Sequence, residues 1–411
     1  MTVVDRNEQT RRRLIGTLFA GNAIGATAYI GIATVSTLVA EEITGSTSVS
    51  GLAPTLGTLG VAAGAGVLSW FSARLGRRPA FAAGFLLGVV GSALAVVALA
   101  ISSLLILLLG MFVMGFGRSA TQLARYAAGD MRPQSERAKA IGIIVWASTI
   151  GAIVGPLLIG PMGSFALAAG FNEYVGPISL AVIGFALGAV LLLIALRPDP
   201  LTLAVDTGES ADQPADRLPV LLALRTVQCS GTAIIISQVV MVLVMVMTPI
   251  HIRDNGGTLS QVGFVMMAHA VGMFAIAPLT GWLVARYGAS RMIGAAVVTF
   301  IASCGLACTA TTASIPILAV SMFGVGIAWN FGFVAGSTML QDGLAMHNRL
   351  KIQGVADAAA WVSSGVAAAA SGVVLDFTSY GTLAVFGALI ALIPLIPMSR
   401  LRLPRPSSVP L

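Results

Sequence analysis

The sequence predicts an all-α membrane protein: twelve transmembrane helices in two pseudo-symmetric six-helix bundles. Three observations predict it. Of 411 residues, 57% are hydrophobic and only 9% are charged, at a mean hydropathy of +0.93. A water-soluble chain carries about 25% charged residues, so a soluble enzyme is excluded, and so are disordered and collagen-like chains. Second, the apolar residues fall in twelve runs. Twelve helices of roughly 20 to 25 residues use about 240 to 300 residues, which leaves chain for loops and tails but not for a sizeable soluble domain. Third, the chain matches itself at a shift of 212 residues.

The elements follow in order. The first 13 residues are charged and polar, and no small-residue cleavage site closes the apolar run behind them. A retained helix over 13–40 is therefore expected, not a removed signal peptide. Glu41-Glu42 ends it as a solvated boundary. Helices are expected next at 49–72, 79–100, 103–128, 137–160 and 175–196, each bounded by charges, Gly or Pro. A polar stretch holds Asp199, Asp206, Glu209, Asp212 and Asp216 with Pro198, Pro200, Pro214 and Pro219, and reads as a solvated linker. Six more runs lie at 220–250, 259–285, 290–311, 314–343, 350–375 and 381–399. The expected domains are thus 1–196 and 220–411, joined by a cytoplasmic linker over 197–219.

The net charge of +7 reflects topology, not a nucleic-acid partner. Arg6 and Arg11 to Arg13 precede the first run, and Arg74, Arg77 and Arg78 follow the second. Arg132, Arg137 and Lys139 follow the fourth; Arg197, Arg217 and Arg225 flank the sixth and seventh. Arg286 and Arg291 follow the eighth, Arg349 and Lys351 the tenth, and Arg400, Arg402 and Arg405 close the chain. Positives after every second span place both termini in the cytoplasm, with Arg253 in an outer loop and Arg118 and Arg125 inside a span. Arginine outnumbers lysine 21 to 2, which is associated with GC-rich bacterial genomes, so a bacterial inner membrane is expected. Cys304 and Cys308, four apart in an apolar helix, read with Cys229 as small core residues.

The 212 shift lays Ser69-Trp70-Phe71-Ser72-Ala73-Arg74-Leu75-Gly76 on Gly281-Trp282-Leu283-Val284-Ala285-Arg286-Tyr287-Gly288, and Asp130, Arg137, Lys139 and Gly142 on Asp342, Arg349, Lys351 and Gly354. Two homologous halves follow. This pattern resembles the major facilitator superfamily, whose loop between helices 2 and 3 carries G-x-L-A-D-R-x-G-R-R; here it ends Arg74-Leu75-Gly76-Arg77-Arg78. The signature's aspartate is Ala73 in the first half and Ala285 in the second. The resemblance implies that this carboxylate helps latch the cytoplasmic side, so the latch here must differ. Asp130 and Asp342 remain as carboxylates for Arg77 and for Arg286 or Arg291. With Arg74 and Arg125, these are read as gating and scaffold charges.

In the fifth run, Gly142, Gly151, Gly155-Pro156 and Gly160 resemble the superfamily's antiporter motif, G-x8-G-x3-G-P-x2-G-G, with the final glycine pair altered. The resemblance implies the drug:proton antiporter branch. Small residues admit a neighbouring helix and proline bends the rod.

A charge near the bilayer centre costs about 2.5 to 3.5 kcal/mol on the insertion scale, so each one calls for a reason. Arg118, Gln122 and Arg125 share one face of the fourth helix. Met111 occupies the register where many antiporters carry an arginine, and Arg118 stands two turns later. It reads either as a substrate contact or as half of an internal ion pair, and Arg125 as a residue snorkelling to the interface. Asp357, whose counterpart at the 212 shift is Val145, is a candidate proton carrier or a structural bridge. His269 is the second titratable candidate, set against a packing role. Trp329-Asn330 lies mid-span, with Asn330 the counterpart of Arg118. Asn22, Trp146 and Gln238 complete a candidate cavity suited to amphipathic organic molecules. No phosphate loop or metal-ligand spacing occurs, so neither enzyme chemistry nor a cofactor is expected.

The expected function is a secondary transporter working by alternating access, exporting hydrophobic or amphipathic small molecules against protons. The alternatives are an importer or exchanger of an organic anion held by Arg118, and a non-transporting scaffold docked through the linker. Expected partners are the solute, protons and the lipid bilayer, and one chain holding both bundles suffices as a monomer.

Overall fold

The computed structural model describes residues 3–132, 134–203, 217–310, 314–341 and 346–399; the side chains of 3–6, 73, 134–139, 141, 145, 341, 346–351, 353, 354 and 357 lie outside this description. Twelve helices among the described residues are long and apolar enough to cross a membrane. They are α1 (Asn7–Thr44), α2 (Leu52–Ser72), α3 (Arg77–Ala100), α4 (Leu104–Asp130), α5 (Gly142–Ala168) and α6 (Val175–Ala195). The second set is α7 (Arg225–Asp254), α8 (Leu259–Tyr287), α9 (Ala289–Thr309), α10 (Ile315–Leu340), α11 (Ala358–Phe377) and α12 (Tyr380–Ser399). No strand occurs among the described residues. Only helices satisfy every backbone group inside lipid without an open edge.

Several boundaries differ from the sequence expectation, each for a physical reason. The first helix begins at Val3, not at 13, because its charged turns find partners. Arg12 Nε donates to Glu8 Oε1 at 2.9 Å, and Arg132 Nη1 reaches Glu8 Oε2 at 2.9 Å. The fifth helix runs from Gln134 to Ala168, past Pro156 and Pro161, where an end at 160 was expected. In lipid, breaking the helix would free several backbone groups, whereas each proline removes one donor. Elsewhere breaks precede prolines. α7 breaks at Val246-Met247 before Pro249, α8 at Ala275-Ile276 before Pro278, and α12 between Ile390 and Leu395 around Pro394. Arg253 thus belongs to the helical segment Thr248–Asp254, not to a loop. Cys304 is buried as expected, but Cys308 is exposed.

The start of the linker is not solvated as expected. Asp199 accepts hydrogen bonds from the backbone N–H of Arg77 at 3.2 Å and of Arg78 at 2.9 Å. Those groups open α3 and have no partner within the helix, so Asp199 caps it from a distant segment. Gly76, at φ 101°, turns the chain into that cap. Arg78 donates to the Leu193 carbonyl at 3.1 and 2.8 Å, and Arg13 donates to that of Arg197. The short helices Pro200–Leu203 and Leu218–Ala223 flank residues 204–216, which lie outside the described residues.

In the first bundle α1 packs on α5 and α6, and α4 on α2 and α3; the second bundle repeats the pattern, with α7 on α11 and α12 and α10 on α8 and α9. The bundles meet along α5–α8 and α2–α11. The meeting is uneven along the helix axes. At the end remote from the two chain termini, Gly160 is seated on Ser260 and Gly263 on the Pro156 carbonyl, too close for a Cβ. At that same end Gly51 is pressed against the Ala368 carbonyl, and Thr55 Oγ1 donates to the Gly365 carbonyl at 2.9 Å. At the terminal end Gly142 of α5 and Gly281 of α8 meet nothing within 4 Å among the described residues. The segment Leu259–Phe274 of α8 packs on α5, while Ala277–Tyr287 turns to α9 and α10. Among the described residues the pair therefore forms a V, closed at the far end and open at the terminal end.

Candidate transport site

In the first bundle the site is built on α1, α4 and α5. The Arg118 guanidinium lies over the ring of Tyr29, 5.7 Å from its centroid. Its Nη1 is buried without a hydrogen-bond partner. Both side chains are only half-buried. Gln122, one turn on, is also half-buried. Arg125 turns aside: its Nη2 donates to the Tyr126 hydroxyl at 3.1 Å, and its charge sits over that ring. Asn22 Nδ2 donates to the Ile144 carbonyl at 2.6 Å and to Ser148 Oγ at 2.9 Å, pinning α1 to α5, while its Oδ1 is buried without a partner. Trp146 stacks on Phe19 at 6.0 Å and is 59% exposed.

In the second bundle α7, α8, α10 and α11 converge. Trp329 stacks face to face on Phe333 at 4.8 Å and edge to face with Phe274 at 6.1 Å. Its Nε1 donates to Gln238 Oε1 at 2.8 Å, and Gln238 Nε2 reaches Ser364 Oγ at 3.4 Å. The result is an oriented aromatic platform with a polar edge. Asn330 faces the helix break instead: its Nδ2 donates to the Met273 carbonyl at 2.6 Å and its Oδ1 accepts from the Thr280 hydroxyl. It is 2% exposed, and its bond to Met273 occupies a backbone carbonyl next to the break in α8. His269 is equally buried, with Nδ1 at 2.9 Å from the Met322 carbonyl and Nε2 without a partner, inside the α8–α10 contact. Asp357 lies on the helix Met346–Phe377, one residue before α11; its side chain lies outside the described residues.

The glycines of α5 serve two interfaces. Gly151 is pressed on Ala26 and Thr27, and Gly155 stands 3.0 Å by Cβ from the Thr27 carbonyl and 3.2 Å from Gly31 N, all on α1. Gly160 and Pro156 instead meet α8, and Gly142 meets neither. Of the charges read as gating, Arg77 Nη2 bonds Asp130 Oδ2 at 2.7 Å. Arg74 lies over Trp70 at 4.2 Å and Arg286 over Trp282 at 5.5 Å. Asp342 lies outside the described residues. Among the described residues no His, Cys, Asp and Glu group has metal-binding geometry.

Sequence reasoning passed over four features. Tyr29 carries no charge pattern to mark it, and Asp199 looked like one of several linker acids. Phe333 is one helical turn from Trp329, a spacing that ordinary packing also produces. The fourth is an ion pair between the bundles at the far end, Arg253 Nη2 to Glu173 Oε1, with Arg253 Nη1 on the Gly257 carbonyl at 3.1 Å. Beside it, burial pushes the Tyr174 phenol above its ordinary range, with Arg253 opposing.

A family model, the Major Facilitator Superfamily, matches residues 17–250 and 229–411. The chain belongs to that superfamily. It is 33% identical over 393 residues to the uncharacterized MFS-type transporter YdeG of Bacillus subtilis strain 168, covering 94% of this chain and 90% of the relative. It is 29% identical over 360 residues to the riboflavin transporter RfnT of Brucella anthropi, covering 84% and 85% of the two chains. Among solved structures, the D-xylose–proton symporter superposes at a TM-score of 0.70 with 17% identity, covering 93% of this chain and 96% of the other, a likeness of fold alone. The chain is a multi-pass membrane transporter of this superfamily, not an enzyme, and its Bacillus relatives fit a bacterial source.

Proposed function

We propose that this transporter exports amphipathic organic solutes with a planar aromatic body, by alternating access coupled to protons. The observation that carries the reading is the Phe274–Trp329–Phe333 platform, whose polar edge is fixed by Gln238. Arg118, the group on the repeat-related helix α4, offers a donor that has no partner of its own. A planar heteroaromatic solute would stack on the first and present an acceptor to the second. Riboflavin, which the relative from Brucella anthropi is named for transporting, is a fused aromatic ring with acceptor atoms along one edge. It is the first compound to try.

The basic loops of the sequence place the terminal end of the V in the cytoplasm, so this conformation is inward-open. The Gly142–Gly160 pattern supports export: one stretch of α5 grips α1, and the next forms the seam with α8 that must part when the far end opens. Proton coupling is assigned to Asp357. A second reading is exchange or import of an organic anion, favoured by the unpartnered Arg118 Nη1.

Inside-out vesicles with an acid interior and a quenched pH dye separate the two. Riboflavin, a lipophilic aromatic cation and an aromatic carboxylate are added in turn to wild type, Asp357→Asn and Arg118→Ala. Dequenching by a planar compound in wild type and its loss in Asp357→Asn are expected. An unchanged response in Asp357→Asn overturns the coupling assignment. A response to the carboxylate alone, abolished in Arg118→Ala, replaces the first reading with the second.

A further inference from the structure

The helical segment Thr248–Asp254, past the break in α7, reaches α1 of the first bundle and carries Arg253 near its end. His251 lies on it, half-buried. Its ring is stacked on Tyr380 of α12, 4.3 Å between centroids and 10° from parallel, and the Tyr380 hydroxyl stands 2.8 Å from Thr248 Oγ1. The stack sets the ring plane, so each ring nitrogen faces a definite partner. Nε2 is 3.3 Å from the Ala310 carbonyl, and Nδ1 is 3.2 Å from Asn255 Nδ2. Those partners decide the protonation state. A carbonyl only accepts, so Nε2 carries the hydrogen; a carboxamide nitrogen only donates, so Nδ1 is the bare acceptor. The closed far end therefore holds His251 neutral, in one tautomer.

A second proton would go to Nδ1 and set two donors against each other. The Asn255 carboxamide would have to turn, and its Nδ2 would lose the His251 carbonyl, which it holds at 2.8 Å. That bond belongs to a larger unit. Asn255 ends the segment, and the turn behind it is closed by Gly256 N–H to the Arg253 carbonyl at 2.9 Å and by Gly257 N–H to the Ile252 carbonyl at 2.8 Å. The Gly257 carbonyl accepts from Arg253 Nη1 at 3.1 Å, and Arg253 Nη2 pairs with Glu173 of the first bundle. Releasing Asn255 thus loosens the backbone that aims Arg253 across the seam.

We propose that His251 is a proton site at the far end that controls the latch between Arg253 and Glu173: neutral, it keeps the seam shut, and protonated, it lets the far end open. Other titratable groups stand nearby. Asp254, exposed on the same turn, is close enough to act on His251, and Glu41 of α1 and Asp376 of α11 act on one another and on Asp254's side of the seam. Tyr380 of α12 and Cys308 of α9 lie behind the ring, Glu173 and Tyr174 surround Arg253, and the segment Leu259–Phe274 of α8 brings no charged residue. The sign follows from linkage: the state that holds His251 neutral is lost as pH falls through the imidazole range. Full release of the latch corresponds to about a fivefold rise in the open-to-closed ratio, so the proton is bound about fivefold more tightly once Asn255 has let go.

Spin labels at Phe171→Cys and Thr378→Cys, exposed at the far end of either bundle, report that ratio as a distance distribution. The full chain, with its three native cysteines replaced, is placed in nanodiscs without solute. Between about pH 8 and about pH 5 the open-to-closed ratio is expected to rise about fivefold. His251→Gln, whose carboxamide serves Ala310 and Asn255 as the neutral ring does, should stay closed throughout. Asn255→Asp gives the protonated Nδ1 an acceptor and should abolish the opening in acid. Asp357→Asn should respond like wild type, which separates this site from the proton coupling proposed above. A response that persists in His251→Gln belongs to the neighbouring carboxylates and overturns the proposal. So does the absence of a response in wild type, its loss in Asp357→Asn, or an unchanged one in Asn255→Asp. Should His251→Gln fail to fold, Asn255→Asp decides alone.

Discussion

The ion pair between Arg253 and Glu173 joins the two bundles only while the far end is closed, so removing it should favour the open state. Its worth follows from its setting. The side chains are 30% and 22% exposed, which leaves the pair partly screened. Fully exposed pairs contribute about 0.2 to 1 kcal/mol, and hydrogen bonds to charged groups about 1.5 to 3 kcal/mol. Arg253 is also held by its bond to the Gly257 carbonyl, so little side-chain freedom is lost on pairing. A value of about 1 kcal/mol is consistent with both ranges and corresponds to about a fivefold shift in the closed-to-open ratio. Ser50 reports that shift: it is fully buried at the seam, with Oγ 3.8 Å from Met247 Sδ across the bundles. Ser50→Cys, in a chain whose three native cysteines are replaced, should react with an impermeant maleimide only from the open far end. Arg253→Gln should raise the labelling rate about fivefold, as the open population rises. Combining Arg253→Glu with Glu173→Arg should bring it back towards wild type. An unchanged rate in Arg253→Gln, or an equal rise in the single and swapped variants, would refute the latch.

Three further outcomes are expected. Asn330→Leu leaves the Met273 carbonyl without its Asn330 donor inside the second bundle, while the Thr280 hydroxyl keeps the Ile276 carbonyl, at a cost of about 1 to 3 kcal/mol, and should lower the melting midpoint in detergent. Asp199→Ala removes the cap of α3 and should cost about 1 kcal/mol, seen as faster amide exchange at Arg77 and Arg78 while the first turn of α9 exchanges as before. Gly151→Val drives a side chain into Ala26 and Thr27 and should prevent recovery of folded protein, whereas Gly142→Ala enters open space and should melt like wild type.

The fold was legible because lipid imposes a strong period on sequence: twelve apolar runs and a basic loop after every second one leave few arrangements. The helix breaks were less legible. Prolines at 156, 161, 249, 278 and 394 look alike in the chain, yet two lie within a continuous helix and three accompany a break. What separates them is the neighbour. Pro156 lies on a helix held by α1 at Gly151 and Gly155 and by α8 from Pro156 onward, while the break before Pro278 is stabilised by Asn330 from α10. Among site residues, Trp329 and Gln238 were recognisable as polar or aromatic groups in lipid, and they form one platform. Asn330 carried the same signal for a different reason, since an amide that repairs a broken helix reads in sequence like one that binds a solute. The Glu173–Arg253 pair was not legible, because it joins residues eighty positions apart that meet only through the packing of two bundles.

Ala73 stands where the superfamily signature carries an aspartate, and the structure indicates how the first bundle does without it. Asp199 fixes the start of α3 from the linker, and Arg77 is left to pair with Asp130. Glu8 ties the beginning of α1 to Arg132, and Arg13 ties it to the Arg197 carbonyl. The terminal-end face of this bundle is thus stitched through four segments. Among the described residues the second bundle shows no equivalent cap. At the 212 shift Asp199 corresponds to Leu411, the last residue, and no side chain bonds the opening N–H groups of α9 among the described residues. Arg286 rests on the faces of Trp282 and Tyr287, contacts worth about 0.5 to 1 kcal/mol at exposed sites. Among the described residues, the side-chain network at the terminal end is therefore denser in the first half than in the second. The break in α8 makes the segment beyond it, Ala277–Tyr287, the part expected to swing toward α5 when the V closes, with the Asn330 junction as the expected hinge.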